Sequence, residues 1–393
     1  MNSFAEHFLH VDMDAFFVEV ERLYDPSLRG QAVVVGGLGN RGVVSSASYE
    51  ARAHGVRSAM PIVEARRRAP HARFVASSMG RYGEVSEQVF ETLRGVTPTM
   101  ERLSVDEAFL DISGLRRHFD TALDVAREIR ARIRSEVGIP ASVGLATRKF
   151  ISKLASEDAK PDGIHLVRAG EELAYLHPMP LRKLWGVGQA TFAALEALGA
   201  TTIGHVAQID VEILRARLGP SLGQHLWQLS RGIDERSVTP GGGAKSVSVE
   251  STFATDVVGV ESLERELLRL SDRLAGRLRR AGVRGRTVEI KVRYATFETV
   301  SRSVTPPNAV RRTHEIWQHG KELLAKLDIG NQPIRLLGIG VAQVGDAAAA
   351  EQLTLDTPVV RAADDAAELV RERFGDTSIM PASILGSEDR DRS

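Results

Sequence analysis

The 393-residue chain contains no cysteine. Disulfides, thiolate metal sites and cysteine nucleophiles are therefore excluded, and the composition suits a reducing cytoplasm. No apolar run approaches the roughly 18 residues that a transmembrane helix needs. Met1–His10 lacks the basic stretch and apolar core of a secretory leader. Net charge is absent too: 51 Lys and Arg stand against 51 Asp and Glu. Hydrophobic residues at 43% and charged residues at 26% are ordinary globular proportions and exclude wholesale disorder. The length predicts two to four domains.

The zero total conceals an asymmetry. Residues 245–345 hold 17 basic and 11 acidic residues, net +6, and residues 346–393 hold 5 and 11, net −6. A basic module followed by an acidic tail points to a polyanionic partner.

Phe8–Asp12 reads as a short apolar strand ending in an acid, and Ala15–Leu23 as a helix. Val33–Val35 and Val43–Ser45 are further strands, with a helix from Tyr49 to His54. Leu103–Ile112 has strand character around an acidic pair. Ala122, Ala126, Ile129, Ile133 and Val137 share one helix face. A strand over Ala141–Leu145 and a helix over Lys149–Ala155 complete a mixed α/β domain. Leu181–Val206 is short and helical, broken by Gly186-Val187-Gly188 and Gly199. Ser237–Ala244 is the clearest linker. Beyond it the order is βαββαβ, a ferredoxin-like split βαβ unit, with Leu263, Leu267, Leu270, Leu274 and Leu278 on one face of its first helix. The tail from Asp346 reads as flexible, with a short helix around 362–373.

Three acids carry candidate chemistry: Asp12 at a strand end, and the adjacent Asp106 and Glu107. Neighbouring side chains on a regular strand point to opposite faces, so the pair can share one site only at a turn or bulge. A hairpin there could aim both at the end of the Asp12 strand. Such a hard-oxygen cluster suits Mg2+, and two ions could activate a 3′-hydroxyl and stabilise a leaving pyrophosphate. A solvated acidic turn is the plainer alternative. The strand followed by Asp12-Met13-Asp14 also resembles the start of haloacid-dehalogenase-type phosphatases, although Phe16 and Phe17 stand where that family has Thr or Val. By spacing alone, Phe16 and Phe17 read as core packing, and Tyr49 and Arg52 as a helix surface pair.

Several segments in order change the balance. They are Val11–Phe17 (VDMDAFF), Ser46–Arg52 (SASYEAR), Gly55–Pro61 (GVRSAMP), Ser104–Asp111 (SVDEAFLD) and Lys160–Gly163 (KPDG). Together they resemble the Y-family translesion DNA polymerases, in their bacterial form, from about Phe8 to Val341. The resemblance implies an α+β multidomain right-hand polymerase. Its ferredoxin-like palm would span 1–11 and 79–166, the small fingers 12–78, and a helical thumb with a helix-hairpin-helix 167–236. A linker (237–244), a βαββαβ little finger (245–345) and the tail (346–393) would follow.

The implied activity is template-directed addition of dNTPs to a primer 3′ end, error-prone, of low processivity and without proofreading. The rival readings are a phosphatase and a catalytically silent DNA-binding accessory protein. By motif position Asp12, Asp106 and Glu107 match the palm carboxylates, with the Met13 carbonyl as a further ligand of two Mg2+ ions (Mn2+ as substitute). Tyr49, Arg52 and Lys160 match the triphosphate contacts, together with Ser46, which stands where the family has Thr. Phe17 matches the steric gate under the incoming sugar, and Phe16 would pack beneath the nucleobase pocket or in the core. Gly186 and Gly188 match the thumb hairpin that offers backbone N–H groups to a DNA phosphate, with Trp185 in place of the usual Pro. In the little finger, Arg286, Lys291, Arg293, Arg302 and Ser303 are the DNA candidates, and Arg265, Arg269, Arg273, Arg277 and Arg280 track along the leucine helix. Gln352-Leu353-Thr354-Leu355-Asp356 resembles a sliding-clamp-binding peptide, with Gln352, Leu353 and Leu355 as its contacts and Asp356 as a departure. Partners would be primer–template DNA, dNTPs and the clamp. No membrane is expected, and the protein would be a cytoplasmic monomer.

Overall fold

The computed structural model describes residues 4–327 and 329–346, and within the tail 366–367, 369–371, 373–375 and 378–379. They fall into two compact units, 1–242 and 243–393. The clamp-peptide candidates Gln352, Leu353 and Leu355 lie outside the described residues.

In the first unit the apolar strand β1 (Phe8–Met13) runs through the centre of the core. Helix α1 (Phe16–Tyr24) starts directly after it. An excursion follows: β2 (Val33–Gly36), β3 (Val44–Ala47), α2 (Tyr49–Ala53), α3 (Ile62–Arg68) and β4 (Arg73–Ala76). These form a three-stranded sheet, β3-β2-β4, with its own small core around Val34, Ala51 and Ile62. The chain returns through α4 (Met79–Arg94), β5 (Met100–Arg102), β6 (Glu107–Asp111), α5 (Ala122–Arg132), β7 (Ala141–Ala146), α6 (Lys149–Asp158) and β8 (Ile164–Leu166). The main sheet has the order β5-β6-β1-β7-β8. Its β1–α4–β5–β6–α5–β7 part is a ferredoxin-like split βαβ arrangement.

The predicted helix over Ala122–Val137 is α-helical only to Arg132 and ends in a π turn over Ile133–Val137. Gly144 lets α6 lie against β7, since a Cβ there would sit 2.0 Å from the Ser152 carbonyl oxygen.

Helices α7 (Glu172–Leu176), α8 (Gln189–Glu196), α9 (Ile203–Gln208), α10 (Val211–Leu218) and α11 (Pro220–Ser230) follow. They share a core with the apolar side of α6, including Phe150 and Leu154. The expected linker is not free along its whole length. Val238 is 6% exposed and packs with Phe8, Phe109 and Leu103. On either side of it, Lys149 Nζ donates to Ser237 O (3.1 Å) and the Thr239 N–H donates to Glu101 Oε2 (2.8 Å). An apolar anchor and two hydrogen bonds therefore dock the start of the segment on the main sheet and α6, and its glycines come after.

The second unit has the expected element order: β9 (Ser246–Val257), α12 (Val260–Arg280), β10 (Val283–Tyr294), β11 (Thr299–Val304), α13 (Thr313–Ala325) and β12 (Ile334–Asp346). The sheet is antiparallel throughout, ordered β11-β10-β12-β9, so the first and third strands hold the edges. The leucine face of α12 and the apolar face of α13 close a core over Val288, Ile290 and Val292. The other sheet face is left to Glu289, Lys291 and Arg293, which alternate with them.

Candidate active site

Two of the three acids face each other at the end of β1, and the third is next to them in the chain. Asp12 is paired with Glu107 across the β1–β6 ladder, which puts both side chains on one face. The Met13 N–H donates to the Asp106 carbonyl at 2.9 Å. Asp106 itself precedes the regular strand, in a turn closed by Ser104, whose hydroxyl donates to Asp106 Oδ1 at 2.5 Å. The turn is what frees Asp106 from strict alternation.

Two lysines neutralise this cluster. Lys160 Nζ lies 2.6 Å from Asp12 Oδ1, and Lys153 donates to Glu107 Oε2. Behind Glu107 is buried His10, its Nε2 3.3 Å from Glu107 Oε2 and its Nδ1 2.7 Å from Ser156 Oγ. Burial pushes the His10 pKa down to about 4, so the ring is neutral at ordinary pH. Burial lifts the Asp12 carboxyl to about 6; Lys160 opposes this, while the charges of Asp106 and Glu107 add to it. For Glu107 burial works in the same upward direction but is outweighed. Hydrogen bonds from His10 and Lys153 hold it down at about 2.

Asp14 is the hub of a second network. It accepts from Tyr49 OH (2.8 Å), from Ser142 Oγ (3.0 Å) and from the Asp162 N–H (2.8 Å). Burial and the neighbouring Asp14 raise the Tyr49 pKa, which keeps the phenol a donor. The Arg52 guanidinium lies 4.7 Å from the Tyr49 ring centroid, with Nε donating to Ala47 O at 2.9 Å. Ser46 is buried on β3.

The two phenylalanines separate. Phe16 is 3% exposed and belongs to the core around β1, not to an open surface. Phe17 is half-buried, its ring stacked on Tyr82 at 4.2 Å and 12°. Tyr82 is fixed in turn by donating to Glu21 Oε1 at 2.7 Å.

His10, Lys153, Asp14, Ser142 and Tyr82 were missed as site residues. His10 could have been found, because it lies two positions from Asp12 and so shares its face. Lys153 and Tyr82 carry no local signal.

Gly186 at φ +99° makes the hairpin turn, and Gly188 precedes α8 in extended conformation. Trp185 stacks towards Phe109 (6.1 Å) under Arg236 (4.6 Å), so its bulk anchors the hairpin to β6. A cleft of about 390 Å3 lies between the hairpin and α6, lined by Lys153, Glu157, Lys183, Gly186 and Gly188 among others.

The little-finger candidates do not share a face. Lys291, Arg293 and Ser303 lie on the open side of the sheet, whereas Arg302 is paired with core Ile290 and so falls on the helix side. Arg286 has the same parity as Val288 and joins it there. Lys291 pairs with Glu250 at 2.8 Å. On α12, Arg269 is paired with Glu266 (2.8 Å) and Arg277 donates to Ser248 O (2.8 Å).

Residues 11–157 match the impB/mucB/samB family, and 244–355 match that family's C-terminal domain. Residues 182–234 match the thumb domain of DNA polymerase iota. The chain is 43% identical over 382 residues to the DNA polymerase IV of Desulfatibacillum aliphaticivorans, covering 96% of both chains. The chain belongs to the Y-family DNA polymerases. A further DNA polymerase IV, from Streptomyces coelicolor, is 43% identical and covers 94% of this chain and 76% of its own. Among solved structures, a Y-family chimera of Dbh and Dpo4 superposes with a TM-score of 0.80 at 22% identity, over 86% of this chain and 99% of that one. The insertion ternary complex of Dbh polymerase superposes at 0.64, with the same identity and coverage.

This Y-family polymerase is accordingly a DNA-directed DNA polymerase of the translesion class, with the right-hand fold expected. The phosphatase alternative falls with the family match. Membership implies a divalent metal, and the donor set fits one, since Asp12, Asp106 and Glu107 offer hard oxygens. Among the described residues no three acidic or imidazole groups are placed to hold an ion together, and Asp12 and Glu107 are each engaged by a lysine. Among the described residues, no helix is long and apolar enough to cross a membrane.

Proposed function

We propose that the chain extends a primer 3′ end with dNTPs by two-metal nucleotidyl transfer. Synthesis is error-prone, of low processivity and unproofread. The observation that carries this reading is the facing pair Asp12 and Glu107, with Asp106 beside it and a lysine on each of the two paired acids.

Asp12, Asp106, Glu107 and the Met13 carbonyl would hold two Mg2+ ions, with Mn2+ as a substitute. Such ions, when bound, activate the primer hydroxyl and stabilise the departing pyrophosphate. Everything else is positioning. Lys160, relieved of Asp12, becomes a point charge for the triphosphate, and Arg52 adds a planar fork. Tyr49 and Ser46 supply hydroxyl donors. Phe17, braced by Tyr82, presents a ring to the C2′ side of the sugar. Gly186 and Gly188 offer hairpin N–H groups to a DNA phosphate, and Lys291, Arg293 and Ser303 add contacts without sequence readout. Proofreading is assigned to none of the modules recognised between about Phe8 and Val341.

Primer extension with Mg2+ and four dNTPs tests the reading. Asp106→Ala should abolish extension while primer–template affinity stays within about threefold. Extension within tenfold of the parent would sink the assignment.

The protein works as a cytoplasmic monomer, tethered to a sliding clamp by Gln352, Leu353 and Leu355. Replacing these three with Ala should lower clamp-stimulated synthesis and spare basal synthesis. Equal stimulation of both forms would remove the tether.

A further inference from the structure

The β10–β11 hairpin turns through Ala295–Glu298. The Phe297 N–H donates to Tyr294 O (2.9 Å) and the Tyr294 N–H to Glu298 O (2.9 Å). This closure puts Phe297 at φ +69°, a region that Gly or Asn normally fills in such loops and where a bulky residue is an outlier. The ring is also 62% exposed. A strained backbone that presents an apolar ring to solvent serves neither folding nor solubility, and strain of this kind gathers at functional positions.

A second feature converges on the ring. On β12, Tyr294 pairs with Ile334 and Arg293 with Leu336, so Arg335 is left out of the ladder. The register with β9 also jumps between Ile334 and Leu336. A bulge re-aims the side chain it carries, and here the Arg335 guanidinium lies over Phe297, 4.5 Å from the ring centroid. Arg293, at the neighbouring strand end, is held by Thr299 through Nε (2.8 Å). Glu298 is exposed beside them.

We propose that this hairpin tip is a stacking platform for an unpaired nucleobase. Phe297 offers the ring, Arg335 backs it, and Arg293 and Arg335 neutralise the flanking phosphates. Base–aromatic stacking tolerates any sequence because every base has a π-face, and a guanidinium on the opposite side of the ring extends the stack. Within the polymerase reading, the ligand is a single-stranded stretch of DNA, bound by residues other than the carboxylates.

The test measures fluorescence anisotropy of the full chain with a labelled single-stranded oligonucleotide and with a blunt duplex of equal length. Metal and dNTPs are omitted, so failure of the catalytic reading would not affect the result. Phe297→Gly removes the ring and also relieves the positive φ. Its thermal midpoint should therefore hold or rise, while single-strand affinity falls at least about fivefold and duplex affinity changes less than twofold. Phe297→Trp should keep single-strand binding, with its indole fluorescence quenched on titration. Unchanged single-strand affinity in Phe297→Gly overturns the proposal. So does an equal loss on duplex, and so does a lowered thermal midpoint accompanying the loss, which would make the ring a structural support.

Discussion

Adjacent phenylalanines just past the acidic end of β1 have opposite fates, because side chains one position apart on a helix lie on different faces. Phe16 fills the core, whereas Phe17 remains half-exposed against Tyr82. A 2′-hydroxyl meeting the Phe17 ring would overpack a tight site and lose its water. The two costs combine to about 3–5 kcal/mol, or roughly a hundred- to several-thousand-fold discrimination. Phe17→Ala should raise rNTP relative to dNTP incorporation at least about a hundredfold, as read from kcat/KM for the matched pair. Phe16→Ala should leave that ratio unaltered and instead cost about 3–5 kcal/mol of stability, as a core Phe truncation does. A relaxed ratio in Phe16→Ala would mean that the gate has been placed one residue off.

Among the elements, α6 is the one on which most depends. It carries Lys149 and Lys153 and packs on β1 and β7. Its start is held by Asp234, which follows α11. The Phe150 N–H donates to Asp234 Oδ2 (3.0 Å), and Arg236 pairs with the same carboxylate (2.7 Å). Burial alone would raise the Asp234 pKa, but the hydrogen bonds and charge of Arg236 and the Phe150 N–H bring it below the usual carboxylate value. A folded pKa below the unfolded one gives stability that is present at neutral pH and lost as pH falls through the folded value. Asp234→Asn should therefore lower stability at pH 7 by about 1–3 kcal/mol. The gap between parent and variant should begin to narrow as pH falls below about 4, where the unfolded carboxylate takes up its proton, and should close only below the lower folded value. Urea midpoints at pH 7 and pH 3.5 measure both, and a gap that stays constant would show that charge plays no part.

Over the whole molecule, zero net charge is a sum of opposites, +6 in residues 245–345 and −6 beyond. Phosphate contact releases counterions, so duplex affinity should fall steeply between about 50 and 200 mM salt despite the neutral total. Lys291 and Arg293 share the open face of the sheet, and replacing both with Gln should reduce the slope of log affinity against log salt by about two. Arg302→Gln, on the helix side, should leave the slope nearly unchanged. A flat salt response in the parent would mean that the basic module is only a solvated surface.

The sequence by itself determined most of the elements and the family. Strand β1, the hairpin bearing Asp106 and Glu107, the leucine face of α12 and the βαββαβ order are all local patterns, legible because periodicity and turn residues act over a few positions. The ordered motifs singled out Asp12, Asp106 and Glu107 as the candidate carboxylates. Tertiary structure alone decided which groups those carboxylates meet. Lys153 reaches Glu107, and Tyr82 backs Phe17, across 46 and 65 positions of chain. Packing of α6 and α4 on the sheet brings them together, and no local pattern marks either residue. Strand parity split Arg286 and Arg302 from Lys291 and Arg293, although all four are DNA candidates by their place in the chain. Val238, read as linker, became core because a gap beside Phe8 and Phe109 needed an apolar side chain. The positive φ of Phe297 follows from closing a tight hairpin whose sequence offers no glycine, a requirement that arises only once β10 and β11 are paired.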